Sequence, residues 1–355
     1  MTGPGALRTP ICDLFRIDVP IVQTGMGWVA GPRLVSATAQ AGALGILASA
    51  TMTYDQLAAA IREVKERTDR PFGVNLRADA EDATERVDLL VREQVQVASF
   101  ALAPNERQIK TLKDAGVRVV PSIGARRHAE KVAAWGVDAV IVQGGEGGGH
   151  TGSVATTLLL PQVADAVDLP VIAAGGFFDG RGLIAALAYG AAGIAMGTRF
   201  LLTQESTVPD SVKQYYLGRT VADTVVTARI DGVPHRVLRT EFVDELESAN
   251  SVTSITRAVR NAFAVKKMLG IKWTSMLREG RVMKDEGNLK WSQVVLAANT
   301  PMLLRAGLVQ GNLEAGVLSS GQVAGVIEDL PSVAELIARI MNEAEQTLKH
   351  LGELT

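Results

Sequence analysis

Short apolar runs and longer amphipathic stretches alternate along the first part of the chain. The apolar runs are rich in β-branched residues and alternate little, which is typical of parallel strands buried on both faces. Eight runs predict strands, at Ile21–Thr24, Gly45–Ala48, Phe72–Asn75, Val97–Phe100, Val117–Pro121, Ala139–Val142, Val171–Ala174 and Gly193–Met196. Amphipathic stretches between them predict helices, at Pro32–Gln40, Tyr54–Arg67, Ala83–Glu93, Asn105–Asp114, Arg126–Trp135, Thr156–Ala166 and Gly180–Tyr189.

Eight βα units at this spacing predict an α/β fold, a (β/α)8 TIM barrel. A doubly wound open sheet is the alternative, and it would place a phosphate loop after the first strand. The segment Gln23–Trp28 matches the GxGxxG fingerprint poorly, whereas the strong glycine loops follow strands six, seven and eight. This distribution favours the barrel, whose phosphate site is typically built by the loops after strands seven and eight.

The strand and helix pattern stops after about residue 205 and returns near Thr300. We therefore predict a barrel with C-terminal helices from residues 1–205 and 300–355, and an inserted, mostly helical cap from residues 206–299. The cap holds a basic run, in which nine Lys or Arg and three acidic residues lie between Arg257 and Lys290.

Composition narrows the functional classes. The chain has 355 residues, a formal net charge of −2 and a sequence pI of about 6.2. This balance argues against nucleic-acid binding, which usually needs a basic domain. No apolar run is long enough to predict a membrane span, and the N-terminus lacks the apolar core of a signal peptide. Cys12 is the only cysteine, which fits a reducing cytoplasm.

The segment from Gln143 to Gly152 is the most informative loop in the sequence. A predicted strand ends, the next residues are almost all glycine, and His150 follows. Glycine lets a flat ligand approach the backbone, and histidine is the side chain best suited to move a proton near neutral pH. We therefore predict that this loop lies against a planar cofactor and that His150 faces the substrate.

Two further glycine loops predict a phosphate clamp. They follow strands seven and eight and contribute Gly175, Gly176, Gly197 and Thr198, whose backbone N–H groups are suited to an anion. Gln23, Gly25, Met26 and Asn75 end strands one and three, at the same rim of the barrel. The Gln and Asn amides are expected to bind the polar edge of a flavin ring.

Several reaction classes lack their sequence signatures. No HxH, HExxH or CxxC spacing is present, so we expect no metal site. No GxSxG motif is present, which weakens a hydrolase hypothesis.

The motifs together resemble the nitronate monooxygenase (2-nitropropane dioxygenase-like) family, which also includes flavin-type enoyl-thioester reductases. The segments that carry the resemblance are 22–27, 72–76, 147–152, 173–176, 196–200 and 321–325. The resemblance implies an oxidoreductase with non-covalent FMN and with His150 as the catalytic histidine. It implies that the phosphate lies on the loops after strands seven and eight. It implies that the ring lies on Gly25, Met26, Asn75 and the stretch Gln143–Gly149, which includes Gly148 and Gly149. Gly321 and Gln322 are further residues expected to bind the cofactor.

Other segments resemble an actinobacterial branch of that family, associated with the degradation of rings C and D of steroids such as cholesterol. These segments are 28–31, 48–53, 99–104, 234–240 and 297–302. The resemblance implies a cytoplasmic dehydrogenase that desaturates a bulky bicyclic acyl-CoA thioester. His235, Arg239, Lys266, Lys267 and Arg278 are the residues predicted to contact this substrate or steer its CoA phosphates.

Four hypotheses remain at this point. The first is FMN-dependent acyl-CoA dehydrogenation, with His150 as base or carbonyl polariser and NAD as a possible hydride acceptor. The second is nitronate monooxygenase activity with the same flavin and histidine. The third is an NADH-dependent enoyl-thioester reductase, which runs the reverse chemistry, and the fourth is a non-catalytic flavin-binding protein. A homo-oligomer is compatible with each of them.

Overall fold

A computed structural model of the chain describes residues 7–101, 104–248 and 300–354. The chain folds into two compact units. The barrel unit comprises Met1–Gly147, Gly152–Thr207 and Ile327–Thr355, and the second unit comprises Gly148–Thr151 and Val208–Val326. This division differs from the predicted boundaries, because residues 148–151 and 300–326 belong to the second unit. The whole basic run, including Lys266, Lys267 and Arg278, lies outside the described residues.

Eleven strands occur in the described residues. They are β1 (Ile21–Gln23), β2 (Leu44–Ala48), β3 (Phe72–Leu76), β4 (Val97–Phe100), β5 (Arg118–Ile123), β6 (Val140–Gln143), β7 (Gly149–His150), β8 (Val171–Ala174), β9 (Gly193–Met196), β10 (Thr224–Thr227) and β11 (His235–Leu238). Strands β1 to β6, β8 and β9 close into a parallel barrel in this order, with β9 pairing back to β1. The predicted (β/α)8 barrel is therefore confirmed.

The helices of the described residues follow the strands of the barrel and continue into the second unit. They are α1 (Pro10–Phe15), α2 (Pro32–Gln40), α3 (Tyr54–Arg67), α4 (Ala83–Arg92), α5 (Glu106–Asp114), α6 (Arg126–Ala134), α7 (Thr156–Ala164), α8 (Gly180–Ala188), α9 (Thr198–Leu201), α10 (Asp210–Leu217), α11 (Glu241–Ser248), α12 (Thr300–Leu308), a 3-10 helix (Gln322–Val326) and α13 (Val333–Gly352). Among the residues that the model describes, no helix is both long and apolar enough to cross a membrane.

Helix α1 closes the amino-terminal end of the barrel. Ile11, Cys12 and Phe15 are buried in one apolar cluster with inward-facing strand residues. A Cβ atom added to Gly193, the first residue of β9, would lie 2.5 Å from Ile11 Cδ1, so the helix packs directly on the strand. Cys12 is fully buried in this cluster and therefore has a packing role.

The C-terminal helix α13 packs on α8 within the barrel unit. A Cβ atom on Gly180, the first residue of α8, would overlap the backbone of Ile340 and Ala344, so the helices approach closely at this glycine. Glu343 accepts a hydrogen bond from the Gly180 N–H at 3.0 Å. The start of α8 is therefore held by the last helix of the chain.

The second unit has its own small sheet and core. Strand β11 pairs antiparallel with β10 on one side and with β7 on the other, and this places His235 opposite His150. Its apolar core contains Ile230, Val237, Phe242, Val243, Leu246, Leu303 and Val317. The sequence pattern did not predict β10 and β11, because these four-residue strands lie in a segment whose overall pattern is helical and irregular.

Candidate functional site

The barrel unit gathers the predicted cofactor residues at the carboxyl-terminal ends of its strands. Gln23 ends β1, Asn75 lies near the end of β3, and Gln143 ends β6. Gly175 follows β8 directly, and Gly197 follows β9. Since parallel strands of a barrel end at one rim, these residues share the face on which TIM barrels bind their ligands.

Gln23 presents an unsatisfied acceptor at this rim. Its side chain is fully buried, and Nε2 donates hydrogen bonds to the carbonyl oxygens of Thr24 and Ile46, the latter at 3.2 Å. Its Oε1 atom has no hydrogen-bond partner within the described part of the chain. Buried polar atoms in folded proteins almost always have a partner, so this oxygen fits a ligand that donates a hydrogen bond.

The neighbouring loop leaves no room for side chains. A Cβ atom on Gly25 would lie 2.5 Å from Cβ of Asn75, and Asn75 Nδ2 donates to Ser99 Oγ at 3.2 Å. A Cβ atom on Gly197 would lie 3.3 Å from Met26 Sδ and from the Thr24 hydroxyl oxygen. The loops after β1 and β9 are therefore packed together through glycine.

Gly175 and Gly176 require glycine for conformational reasons. Their φ angles are +91° and +88°, in the region that side-chain-bearing residues rarely adopt. A Cβ atom on Gly175 would also lie 3.0 Å from the carbonyl oxygen of Gly144, which begins the loop after β6. We call the segments Gly144–Gly147, Gly175–Gly176 and Gly197–Thr198 the glycine loops.

A carboxylate that the sequence analysis missed holds the first of these loops. Glu146 accepts hydrogen bonds from the Thr156 N–H at 3.1 and 3.2 Å and from the Thr156 hydroxyl at 2.6 Å. The same hydroxyl oxygen lies 3.0 Å from the carbonyl oxygen of Gly175. Glu146 therefore caps the start of α7 and ties two glycine loops together.

The start of α8 is not available to an anion. At α8, Asp179 accepts the Gly182 N–H and Glu343 accepts the Gly180 N–H, so two carboxylates already occupy that terminus. The predicted phosphate clamp is therefore restricted to Gly197 and Thr198, at the start of α9, and to the positive-φ glycines that precede α8.

The barrel unit fits the FMN that the resemblance implies. A flavin phosphate needs backbone N–H donors, and Gly175, Gly176 and Gly197 follow barrel strands at the rim where TIM barrels bind phosphate. A flat ring needs a surface without side chains and polar partners at its edge, which the glycine loops and the Gln23 Oε1 atom provide.

In the second unit, two loops that were predicted separately meet. A Cβ atom on Gly148 would lie 2.5 Å from Gly321 N and from the carbonyl carbon of Ser320. Gln322 follows and begins the 3-10 helix. The close contact between Gly148 and Gly321 explains why both loops are rich in small residues.

His150 is paired with an aspartate that the sequence analysis did not identify. His150 Nε2 lies 2.6 Å from Asp231 Oδ2, and the two side chains are 61% and 6% exposed. The only signals for Asp231 are the Asp231–Gly232 turn dipeptide and the spacing of four residues to His235. An exposed imidazole held at one nitrogen by a buried carboxylate is an arrangement suited to proton transfer.

His235 lies behind this pair. It is 3% exposed, its Nδ1 atom is 3.6 Å from Asp231 Oδ2, and its Nε2 atom is 2.7 Å from the Ser319 hydroxyl. The rings of His150 and His235 are 4.8 Å apart. The buried Tyr216 hydroxyl donates to the Ser319 carbonyl oxygen at 2.8 Å. We call His150, Asp231 and His235 the histidine cluster.

The charges of the histidine cluster follow from this geometry. Burial opposes ionisation of Asp231, but the hydrogen bond from His150 and the nearby ring of His235 outweigh it and hold the pKa of Asp231 below its ordinary value. Burial lowers the pKa of His235, and a charge on His150 adds to this effect, against the opposing influence of Asp231. The cluster therefore contains an ionised carboxylate and a buried neutral imidazole near pH 7.

These three side chains are also the described residues whose spacing suits a metal ion. Their ligand atoms lie within 4.8 Å of one another. Two imidazoles and one carboxylate form a known ligand set for transition metals. The expected absence of a metal stays a prediction.

Of the residues predicted to contact substrate, His235 and Arg239 are described. His235 is buried in the histidine cluster, which favours a supporting role over direct contact. Arg239 is 58% exposed, and its Nε atom lies 3.1 Å from Asp244 Oδ1.

Comparisons with known proteins agree over nearly the whole chain. The nitronate monooxygenase family model matches residues 8–87 and 82–343. A protein of Rhodococcus jostii (strain RHA1) named (3aS,4S,5R,7aS)-5-hydroxy-7a-methyl-1-oxo-octahydro-1H-indene-4-carboxyl-CoA dehydrogenase is 62% identical over 348 residues, covering 98% of this chain and 99% of that protein. A protein of the same name from Mycobacterium tuberculosis (strain H37Rv) is 66% identical over 341 residues, covering 95% and 96%. The solved structure of FabK from Thermotoga maritima has a TM-score of 0.81 and 35% identity, covering 98% of this chain and 100% of that chain.

Proposed function

The chain belongs to the nitronate monooxygenase family, and on this premise we propose that it is an FMN-dependent dehydrogenase of a bulky bicyclic acyl-CoA thioester. The observation that carries the proposal is the identity of 62–66%, over nearly the full length, to two proteins named as dehydrogenases of a hydrindane carboxyl-CoA. The proposal includes a place in steroid degradation, as the sequence resemblance implied.

The barrel unit supports the cofactor part of the proposal. Gly197 and Thr198 would hold the phosphate of FMN, and Gly175 and Gly176 would approach it through their backbone. Gln23, Gly25, Met26, Asn75 and Gln143 would border the ring. Gly148, Gly149, Gly321 and Gln322, which lie in the second unit, stay proposed cofactor-binding residues. Bound FMN supplies an acceptor for a hydride from carbon.

The proposed role of the protein in the reaction is proton transfer at His150. A thioester acidifies the C–H bond next to its carbonyl, and His150 accepts that proton while the electron pair remains on the carbon. The neutral imidazole with its proton on Nε2, donated to Asp231, has its basic lone pair on Nδ1. Nδ1 is therefore the atom proposed to accept the substrate proton.

Nitronate oxidation is the second candidate, because the matching family model is named after nitronate monooxygenase. The same histidine would serve it, and the substrate would be small and anionic. The reverse reaction, reduction of an enoyl thioester by NADH, needs the same residues as the dehydrogenation. The proposal of a CoA thioester thus depends on the named relatives.

Anaerobic mixing of the purified flavoprotein with candidate substrates tests the proposal. We expect the hydrindane carboxyl-CoA to bleach the flavin absorbance within the turnover time, and alkyl nitronates to leave it unchanged. Bleaching by a nitronate alone, followed by oxygen-dependent turnover, would establish the second candidate instead. A protein that is isolated without flavin and cannot take up FMN would refute both.

The proposal has three further parts. They are NAD as the acceptor that reoxidises the flavin, a cytoplasmic location, and a homo-oligomeric state. Steady-state assays with NAD or oxygen, cell fractionation and light scattering test them in turn.

A further inference from the structure

We infer that Asp231 is the positioning residue of the histidine cluster, which fixes His150 in the tautomer with its proton on Nε2. The catalytic meaning of this inference rests on the proposed function, in which His150 exchanges a proton with substrate. The tautomer itself is a property of the protein without substrate, so it can be tested separately.

The carboxylate of Asp231 is held at both oxygens. Oδ2 lies 2.6 Å from His150 Nε2, and Oδ1 accepts the Val233 N–H at 3.1 Å. The side chain is 6% exposed, so water does not compete strongly for either oxygen. A buried ionised carboxylate requires such partners, and charge-assisted hydrogen bonds are the strong ones. The orientation of Asp231 is therefore set before a ligand binds.

The backbone of His150 is fixed independently of its side chain. His150 pairs with His235 in the antiparallel register of β7 and β11, and the Thr151 N–H donates to the Pro234 carbonyl oxygen at 3.1 Å. Because main chain and ring are held by different partners, loss of the carboxylate would remove the contact at Nε2 without releasing the strand. This separation allows a positioning role to be distinguished from a structural one.

His235 is a weaker candidate for the proton acceptor than His150. It is 3% exposed, and its Nε2 atom is engaged with the Ser319 hydroxyl, whose residue is held in turn by Tyr216. In the described part of the chain, the turn after Ile230 places Asp231 against His150, and β11 places His235 against it. Two protonated rings beside one carboxylate would repel each other, which leaves the exposed ring to carry the proton.

The contact length favours a hydrogen bond over a shared metal ion. Zinc–nitrogen and zinc–oxygen bonds are about 2.0–2.2 Å, so two ligands on one ion lie about 3 Å or more apart. The observed distance of 2.6 Å between His150 Nε2 and Asp231 Oδ2 is shorter than that.

Long-range ¹H–¹⁵N NMR on the full-length, FMN-loaded protein labelled at histidine tests the inference. Loss of one ring signal in His150→Gln assigns His150. We expect wild-type His150 to show the Nε2–H tautomer, and Asp231→Asn to shift it toward Nδ1–H, because the amide can present its NH2 group to Nε2.

Steady-state kinetics give a second readout. We expect kcat of Asp231→Asn to fall about 100-fold with KM little changed, and Asp231→Glu to recover part of the lost kcat. Asp210→Asn, at a 91% exposed aspartate of the same unit, is the matched control and should match wild type.

An Nδ1–H tautomer in wild type would overturn the inference, and this measurement needs no variant to fold. An unchanged tautomer and kcat in Asp231→Asn would overturn it as well. So would inactivation by EDTA that Zn²⁺ reverses in wild type but not in Asp231→Asn. A wild-type Nε2–H tautomer that Asp231→Asn removes supports the inference even where no CoA thioester is turned over, and in that case it is the proposed function that fails.

Discussion

The glycine loops of the barrel unit and the histidine cluster of the second unit are built from different atoms. The glycine loops offer backbone N–H groups and surfaces from which side chains are excluded, as the close approach of Gly175 to Gly144 shows. The histidine cluster offers side chains that are held by one another, around the buried Asp231. A site of the first kind is sensitive to any added Cβ atom, whereas a site of the second kind is sensitive to the loss of a charge or a donor.

This difference predicts separable failures. Substitutions in the glycine loops should weaken cofactor binding, and substitutions in the histidine cluster should leave the cofactor bound and affect proton transfer. Variants of His150, Gly175 and His235 test this separation.

Replacement of His150 by glutamine should leave a yellow protein that reacts slowly. General acid–base catalysis contributes about 10²–10⁴-fold, so the anaerobic rate of flavin bleaching by the CoA thioester should fall by that factor. His128→Gln, at an exposed position on α6, is the matched control and should react at the wild-type rate. A wild-type rate in His150→Gln would show that another group accepts the proton.

Replacement of Gly175 by alanine should weaken FMN binding. A positive φ costs about 1–2 kcal/mol for a residue with a side chain, and here the new Cβ atom also meets Gly144 at 3.0 Å. Gly116→Ala is the control, because Gly116 has a φ of +78° but no atom within 4 Å of the added Cβ. Both variants should lower the unfolding midpoint, and only Gly175→Ala should raise the FMN dissociation constant, by about tenfold or more. Equal affinities in the two variants would contradict a cofactor role for this loop.

The buried imidazole of His235 should make the free energy of unfolding depend weakly on pH. Burial lowers the pKa of His235 in the folded chain, so the unfolded chain binds more protons between that pKa and the ordinary value of about 6.5. The free energy of unfolding should therefore rise with pH across this window, by at most about 1.4 kcal/mol per pH unit. Above about pH 6.5, the contribution of His235 to the free energy of unfolding should no longer change with pH. Denaturant unfolding of wild type and His235→Gln between about pH 5 and 8 measures the difference. The slope should disappear in His235→Gln and persist in His128→Gln; an identical slope in wild type and His235→Gln would refute the assignment.

The barrel could be predicted because its signals are local. Each strand is a short apolar run, and helix starts such as Asn105 carry capping residues that the structure confirms. The positive-φ glycines after β8 were likewise visible as a motif. Their predicted ligand and the role of His150 stay proposals.

The histidine cluster could not be predicted because its signals are not local. Strand β7 has two residues, and its pairing partner His235 lies 85 positions further along the chain. Asp231 and Ser319 sit in ordinary turn and loop contexts, so no spacing relates them to His150. Glu146 was missed for a similar reason, since one acid among glycines gives no indication of the helix it caps.

Two separate segments of the chain form the second unit: the four residues Gly148–Thr151 and the longer segment Val208–Val326. The exposed histidine is thus encoded within the barrel part of the gene, while Asp231, His235 and Ser319 are encoded in a later contiguous segment. An exchange of that later segment between relatives would replace the surroundings of an unchanged histidine in a single genetic event. The surroundings of His150 can therefore change while the short strand that carries it stays the same.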